Sequence, residues 1–168
     1  TSMKNNGFLH LVSLVAALLL ALSATAQNES IVTLSGNAYI TSGHAAFIDE
    51  GQSAIRNWND KETVISFYFR TEKSGNMNIA LQAQGNSNIE ISLLGKKKKV
   101  RLDSDELSRI ELGTYKVKNP GYVKMDIRGL KINQGANFGS IASVIVNGDV
   151  CPVVCVTSDF STHFGRRG

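Results

Sequence analysis

The only tryptophan of the 168-residue chain sits in Arg56-Asn57-Trp58-Asn59-Asp60, among a guanidinium, two amides and a carboxylate. Aromatic rings stack against the C–H faces of sugars, and planar polar groups satisfy sugar hydroxyls. These five residues are therefore candidates for a ligand-binding patch. The competing reading packs Trp58 into the core and leaves its neighbours to form a turn. Tyr39, Tyr68 and Tyr122 raise the same choice, and Tyr68 and Tyr122 fall on the polar side of their segments.

Catalytic chemistry finds less support. The chain has no Gly-x-Ser-x-Gly, no His-Glu-x-x-His, no phosphate-cradling glycine loop and no EF-hand pattern. His44 and His163 are the only histidines beyond the first 26 residues. A glycosidase needs two carboxylates about 5 to 9.5 Å apart. Asp49, Glu50, Asp60, Asp103, Asp105 and Glu106 all lie in segments that read as turns, where acids serve turn geometry. No catalytic residue, cofactor or metal ligand set is assigned.

Cys151 and Cys155 lie four apart, about 13 Å along an extended strand. A disulfide needs Cα atoms within about 7 Å, so a bond between them requires a turn, for which Pro152 is placed. A disulfide and free or intermolecular thiols both stay open.

The elements that must carry these residues are short strands. Ile65, Phe67 and Phe69 alternate with Ser66, Tyr68 and Arg70. Met77, Ile79, Leu81 and Ala83 alternate with Asn78, Gln82 and Gln84. Ile89, Ile91 and Leu93 alternate with Asn88, Glu90 and Ser92, and Val123, Met125 and Ile127 alternate with Tyr122, Lys124, Asp126 and Arg128. Period-two alternation buries one face of each strand, as antiparallel sheets do. Leu94-Gly95-Lys96-Lys97 reads as a hairpin that returns Val100 and Leu102 to the core and leaves Lys97, Lys99 and Arg101 in solvent. Further strands are expected at Ile31–Leu34, His44–Ile48, Arg109–Val117, Ile141–Val146 and Val153–Thr157, with a short helical turn at Ser104–Ser108. The fold class is all-β, an antiparallel two-sheet sandwich of jelly-roll type.

Residues 1–26 read as a Sec-type signal peptide. Lys4 precedes an apolar run from Leu11 to Leu22, and Ala24-Thr25-Ala26 offers the cleavage site. That run is too short for the ~20 residues of a membrane span. Thr1-Ser2 ahead of Met3 reads as an upstream extension. The expected localisation is secreted, periplasmic or cell-surface. The formal charge of +4 comes from Lys4 and the run Lys96–Lys99; without those five, 13 basic residues face 14 acidic ones. A nucleic-acid binder spreads cations over a face, so nucleic acid is not an expected partner.

Leu34-Ser35-Gly36-Asn37-Ala38-Tyr39, Ile55-Arg56-Asn57-Trp58, Val64-Ile65-Ser66 with Tyr68-Phe69, Pro120-Gly121-Tyr122-Val123-Lys124 and Phe164-Gly165-Arg166-Arg167-Gly168 occur in this order. Together they resemble the exported bacterial family known as domain of unknown function 5077. The resemblance implies a carbohydrate-binding-like β-sandwich over residues 27–160, followed at 161–168 by the start of a second domain. It carries over no catalytic residue, and the two cysteines do not belong to its pattern. The expected function is a non-catalytic, glycan-binding or substrate-targeting accessory module of a secreted protein, with a polysaccharide or glycan as partner. The alternatives are a structural domain bracing a downstream domain, or one that shares a catalytic site with it by donating a carboxylate or Arg70.

Overall fold

The computed structural model describes residues 29–157. The expected signal peptide and the expected start of a second domain lie outside the described residues. Strand β1 (Ser30–Thr33) turns through Leu34–Asn37 into β2 (Ala38–Ser42). Strands β3 (Phe47–Asp49) and β4 (Ala54–Arg56) pair as a small separate hairpin. Then follow β5 (Val64–Thr71), β6 (Gly75–Leu93), β7 (Lys96–Val117), β8 (Gly121–Ile132) and β9 (Ser140–Gly148). All pairings are antiparallel, in the order β1-β9-β6-β8-β5-β2, with β7 along β6.

The long β6–β7 hairpin belongs to both layers of the sandwich. Met77 to Gln84 of β6 pair with β9, whereas Ser87 to Leu93 pair with β8. The expected separate runs 77–84 and 88–93 are thus one strand that changes layer at Gly85. Gly85 has φ 150°, and a Cβ there would lie 2.4 Å from the carbonyl oxygen of Phe138. Only glycine admits both the conformation and the contact. The expected helical turn at Ser104–Ser108 is instead a bulge in β7: Ala83 faces Ser108 while Gly85 faces Ser104, so the extra residues bend the strand around the same corner. The Ser104 hydroxyl holds the bulge, donating to the Glu106 carbonyl and accepting from the Glu106 N–H.

Leu94 and Gly95 both take positive φ, the two-residue turn that matches strand twist, so β7 begins at Lys96. Lys97, Lys99 and Arg101 are exposed, and Val100 and Leu102 are buried. The expected strand at His44–Ile48 shrinks to β3, and β2 and β4 are additions to the expected set. Val153–Thr157 is not a full strand. Val154 alone pairs with Arg70, and Val156 is held instead by the Asn37 side chain, which bonds both its N–H (2.7 Å) and its carbonyl (2.8 Å).

The alternation fills the space between the layers. Ile65, Phe67, Phe69, Met125, Ile127, Ile89 and Ile91 from one layer meet Met77, Ile79, Leu81, Val144, Val146 and Val32 from the other, all buried. Each such side chain contributes about 1.5–3 kcal/mol through removal from water. The opposite parity of β2, β5 and β8 is thereby fixed to face outward.

Candidate functional site

Because Phe67 and Phe69 point inward, Ser66, Tyr68 and Arg70 of β5 point out. Next to them stand Tyr122 and Lys124 of β8 and Tyr39 of β2. The register sets Arg70 opposite Tyr122, Tyr68 opposite Lys124 and Tyr39 opposite Ser66. The Tyr39 and Tyr68 rings meet edge to face, with centroids 5.9 Å apart. Tyr122 is 82 % exposed and Tyr39 56 %. Tyr39, Tyr68, Arg70, Tyr122, Val154 and Val156 line a groove of about 320 Å³. The Arg70 guanidinium has only a long, solvated contact with Glu72 at 3.8 Å, which leaves its donors available. The groove thus joins ring faces, phenolic hydroxyls and a planar cation in a mostly apolar concavity with a few polar groups, the composition typical of ligand pockets.

The Arg56–Asp60 segment does not present its ring to solvent. Trp58 is 0 % exposed, its ring 5.4 Å from that of Phe138, and its carbonyl accepts the Phe138 N–H at 2.8 Å. A Cβ on Gly129 would lie 2.4 Å from the Phe138 ring, so Trp58, Phe138 and Gly129 interlock. This corrects the assignment of Trp58 as a contact residue: it is a core side chain, as the competing reading had it. Arg56 is engaged by Asp49 (3.5 Å) across the β3–β4 hairpin and by Gln52. Asn57 takes φ 55° in the turn after β4, and Asn59 is exposed. Asp60 accepts bonds from the Thr63 N–H (2.7 Å) and hydroxyl (2.8 Å), which is turn chemistry. None of the five lines the groove, whereas Tyr68 and Tyr122 both do.

Tyr39, Arg70, Val154 and Val156 are among the lining residues outside the binding set expected from the sequence. Tyr39 was detectable from the alternation of Ala38, Ile40 and Tyr39, Thr41, once that stretch is taken as a strand. Val154 and Val156 reach the groove only through the bridge to Arg70 and the Asn37 clamp, which no local pattern announces.

Cys151 and Cys155 are free thiols. The Cys151 thiol donates to the Val146 carbonyl at 3.2 Å and the Cys155 thiol to the Ile31 carbonyl at 3.7 Å. Burial pushes both thiols above their ordinary pKa. Among the described residues, no three His, Cys, Asp or Glu side chains converge as a metal ligand set, and no helix is long and apolar enough to cross a membrane.

No curated protein matches the chain. Solved structures do. The CBM35 from Cellvibrio japonicus Abf62 is 12% identical and superposes with a TM-score of 0.57 over 77% of this chain and 98% of that one. A family 35 carbohydrate binding module from an environmental isolate is also 12% identical, with a TM-score of 0.55 over 76% of this chain and 97% of that one. The Podospora anserina GH26-CBM35 β-(1,4)-mannanase is 10% identical, with a TM-score of 0.54 over 71% of this chain but only 27% of that one. At these identities the likeness establishes the fold, a jelly-roll β-sandwich of the carbohydrate-binding-module type. Residues 32–151 match the model described as Domain of unknown function (DUF5077), and the chain belongs to that family.

Proposed function

We propose that this domain is a non-catalytic glycan-binding module of a secreted protein, and that the groove of Tyr39, Tyr68, Arg70 and Tyr122 is its contact surface. The observation that carries the reading is the exposure of Tyr122 and Tyr39 on a rigid outward sheet face, where aromatic rings have no core to fill. The fold supports it, since similar sandwiches are named as carbohydrate-binding modules and one is joined to a β-(1,4)-mannanase. Affinity electrophoresis of the purified protein in gels containing β-(1,4)-mannan, xylan or polygalacturonate tests it. Retardation by at least one gel is expected; unchanged migration in all three contradicts it.

Export through residues 1–26 belongs to the same proposal. Expressed in an exporting host, the mature chain should begin at Gln27 by N-terminal sequencing, and an intact Met3 end would refute export by this route.

A second reading is that this face braces a downstream domain. The exposed apolar Val154 and Val156 beside Tyr122 favour it. Protection of Tyr122 from nitration by the downstream domain, and not by a polysaccharide, would favour bracing.

A further inference from the structure

Farther along the same outward face, the groove gives way to a polar hollow. Val64, Glu90, Ser92, Lys97, Asp126 and Arg128 enclose about 180 Å³ between β5, β8, β6 and β7. We propose that this hollow is a second subsite for a neutral sugar presenting adjacent hydroxyls, and that one oligosaccharide runs from the tyrosines into it. The inference rests on the glycan reading above and adds the ligand's length and charge class.

The two carboxylates are fixed in the same way. Glu90 is 9 % exposed, and Arg128 holds its Oε1 through Nε and Nη2, both at 3.1 Å, with Lys97 at 4.0 Å from the same oxygen. Asp126 uses Oδ1 to accept the Ser66 hydroxyl at 2.6 Å and to meet Lys124 at 3.5 Å. Ser66 is itself steadied by Thr41, 2.7 Å away. Each carboxylate thus keeps one oxygen, Oε2 or Oδ2, that these partners do not use. Arg128 and Lys97 keep further N–H donors beside them. Hydroxyls can donate to the free carboxylate oxygens and accept from the cations, and such charge-assisted bonds are the stronger kind.

Charge decides the class. Glu90 and Asp126 are balanced by Lys97 and Arg128, so the lining itself is neutral, and Lys124 at its rim is held by Asp126. A uronate or phosphate would meet two carboxylates, and a cation would compete with two resident ammonium and guanidinium groups. A neutral polyhydroxylated sugar faces neither cost. As a stability device the arrangement gains little, because sinking Glu90 costs desolvation that its ion pairs only offset.

The two parts are joined along one strand. Tyr122, Lys124, Asp126 and Arg128 are alternate residues of β8, and all are intermediate or exposed. At about 3.4 Å per residue, Asp126 lies about 14 Å and Arg128 about 20 Å from Tyr122. Tyr68 and Lys124, paired across β5 and β8, occupy the interval.

The test uses the purified full chain, affinity electrophoresis in β-(1,4)-mannan, xylan and polygalacturonate gels, and titration with the matching oligosaccharides of two to six units. A neutral polysaccharide is expected to bind at least tenfold more tightly than polygalacturonate, with affinity still rising beyond three units. Glu90→Gln should weaken that binding about tenfold. Ser92→Met fills the hollow without removing a charge and should do the same, which guards against a folding defect in the first variant. If Tyr122→Ala weakens binding while Glu90→Gln and Ser92→Met do not, the second subsite is refuted and the tyrosine groove stands. Preference for polygalacturonate overturns the neutral class. Absence of binding to all three polymers sinks the glycan reading and this inference with it.

Discussion

Two aromatic regions of this domain carry similar residue types and opposite roles. Trp58 sits in a polar-looking stretch yet is wholly buried against Phe138, while Tyr122 follows Pro120-Gly121 at the start of β8 and is 82 % exposed. The difference lies in what surrounds each ring in space. Trp58 occupies the loop between β4 and β5, whose path runs beneath Phe138, and the glycine at 129 leaves room for that stack. Tyr122 stands on a strand whose other face is committed to the core by Val123, Met125 and Ile127, so its own parity forces it outward. In a β-sandwich, strand parity is a better guide to whether an aromatic ring is exposed than the polarity of its neighbours in sequence.

The contrast can be broken most sharply at Trp58. Trp58→Ala should cost about 3–5 kcal/mol of stability by urea denaturation, as loss of a buried aromatic does, and the fraction that stays folded should keep its polysaccharide affinity. A stable variant with lost binding would reverse the roles assigned to the two regions. Gly129→Ala should cost about 1–3 kcal/mol, since the added methyl meets the Phe138 ring at 2.4 Å and the Trp58 stack must shift; an unchanged melting temperature would show that the interlock is slack. Tyr122→Ala should leave stability within about 0.5 kcal/mol. It should weaken polysaccharide binding roughly tenfold, about 1.4 kcal/mol, as removal of an exposed anchor does.

The layers of the sandwich were legible because alternation is a local consequence of burial. Ile65, Phe67 and Phe69 announce one face of β5, and Tyr68 and Arg70 follow on the other. The corner at Gly85 was not legible. Gly85-Asn86 interrupts an alternating run as a loop would, and its role as a change of layer depends on the Phe138 carbonyl, which is distant in sequence. The same holds for the β7 bulge, whose Ser, Asp and Glu residues look like a helical start when the partner strand is ignored. The outward placement of Tyr68 and Tyr122 was legible from parity. Trp58 was not, because a lone aromatic in a loop has no parity, and only the Phe138 stack fixes where it goes. The two cysteines could not be assigned from spacing, and their separate acceptors, Val146 and Ile31, come from different strands.

The most direct measurement is a backbone amide chemical-shift map of the protein titrated with the oligosaccharide of whichever neutral polymer retards it, mannan or xylan. Perturbations are expected at Tyr39, Tyr68, Arg70 and Tyr122, with Asn57 to Asp60 unmoved. Perturbations concentrated at Asn57 to Asp60, or none on the β2–β5–β8 face, would contradict the tyrosine groove as the contact surface.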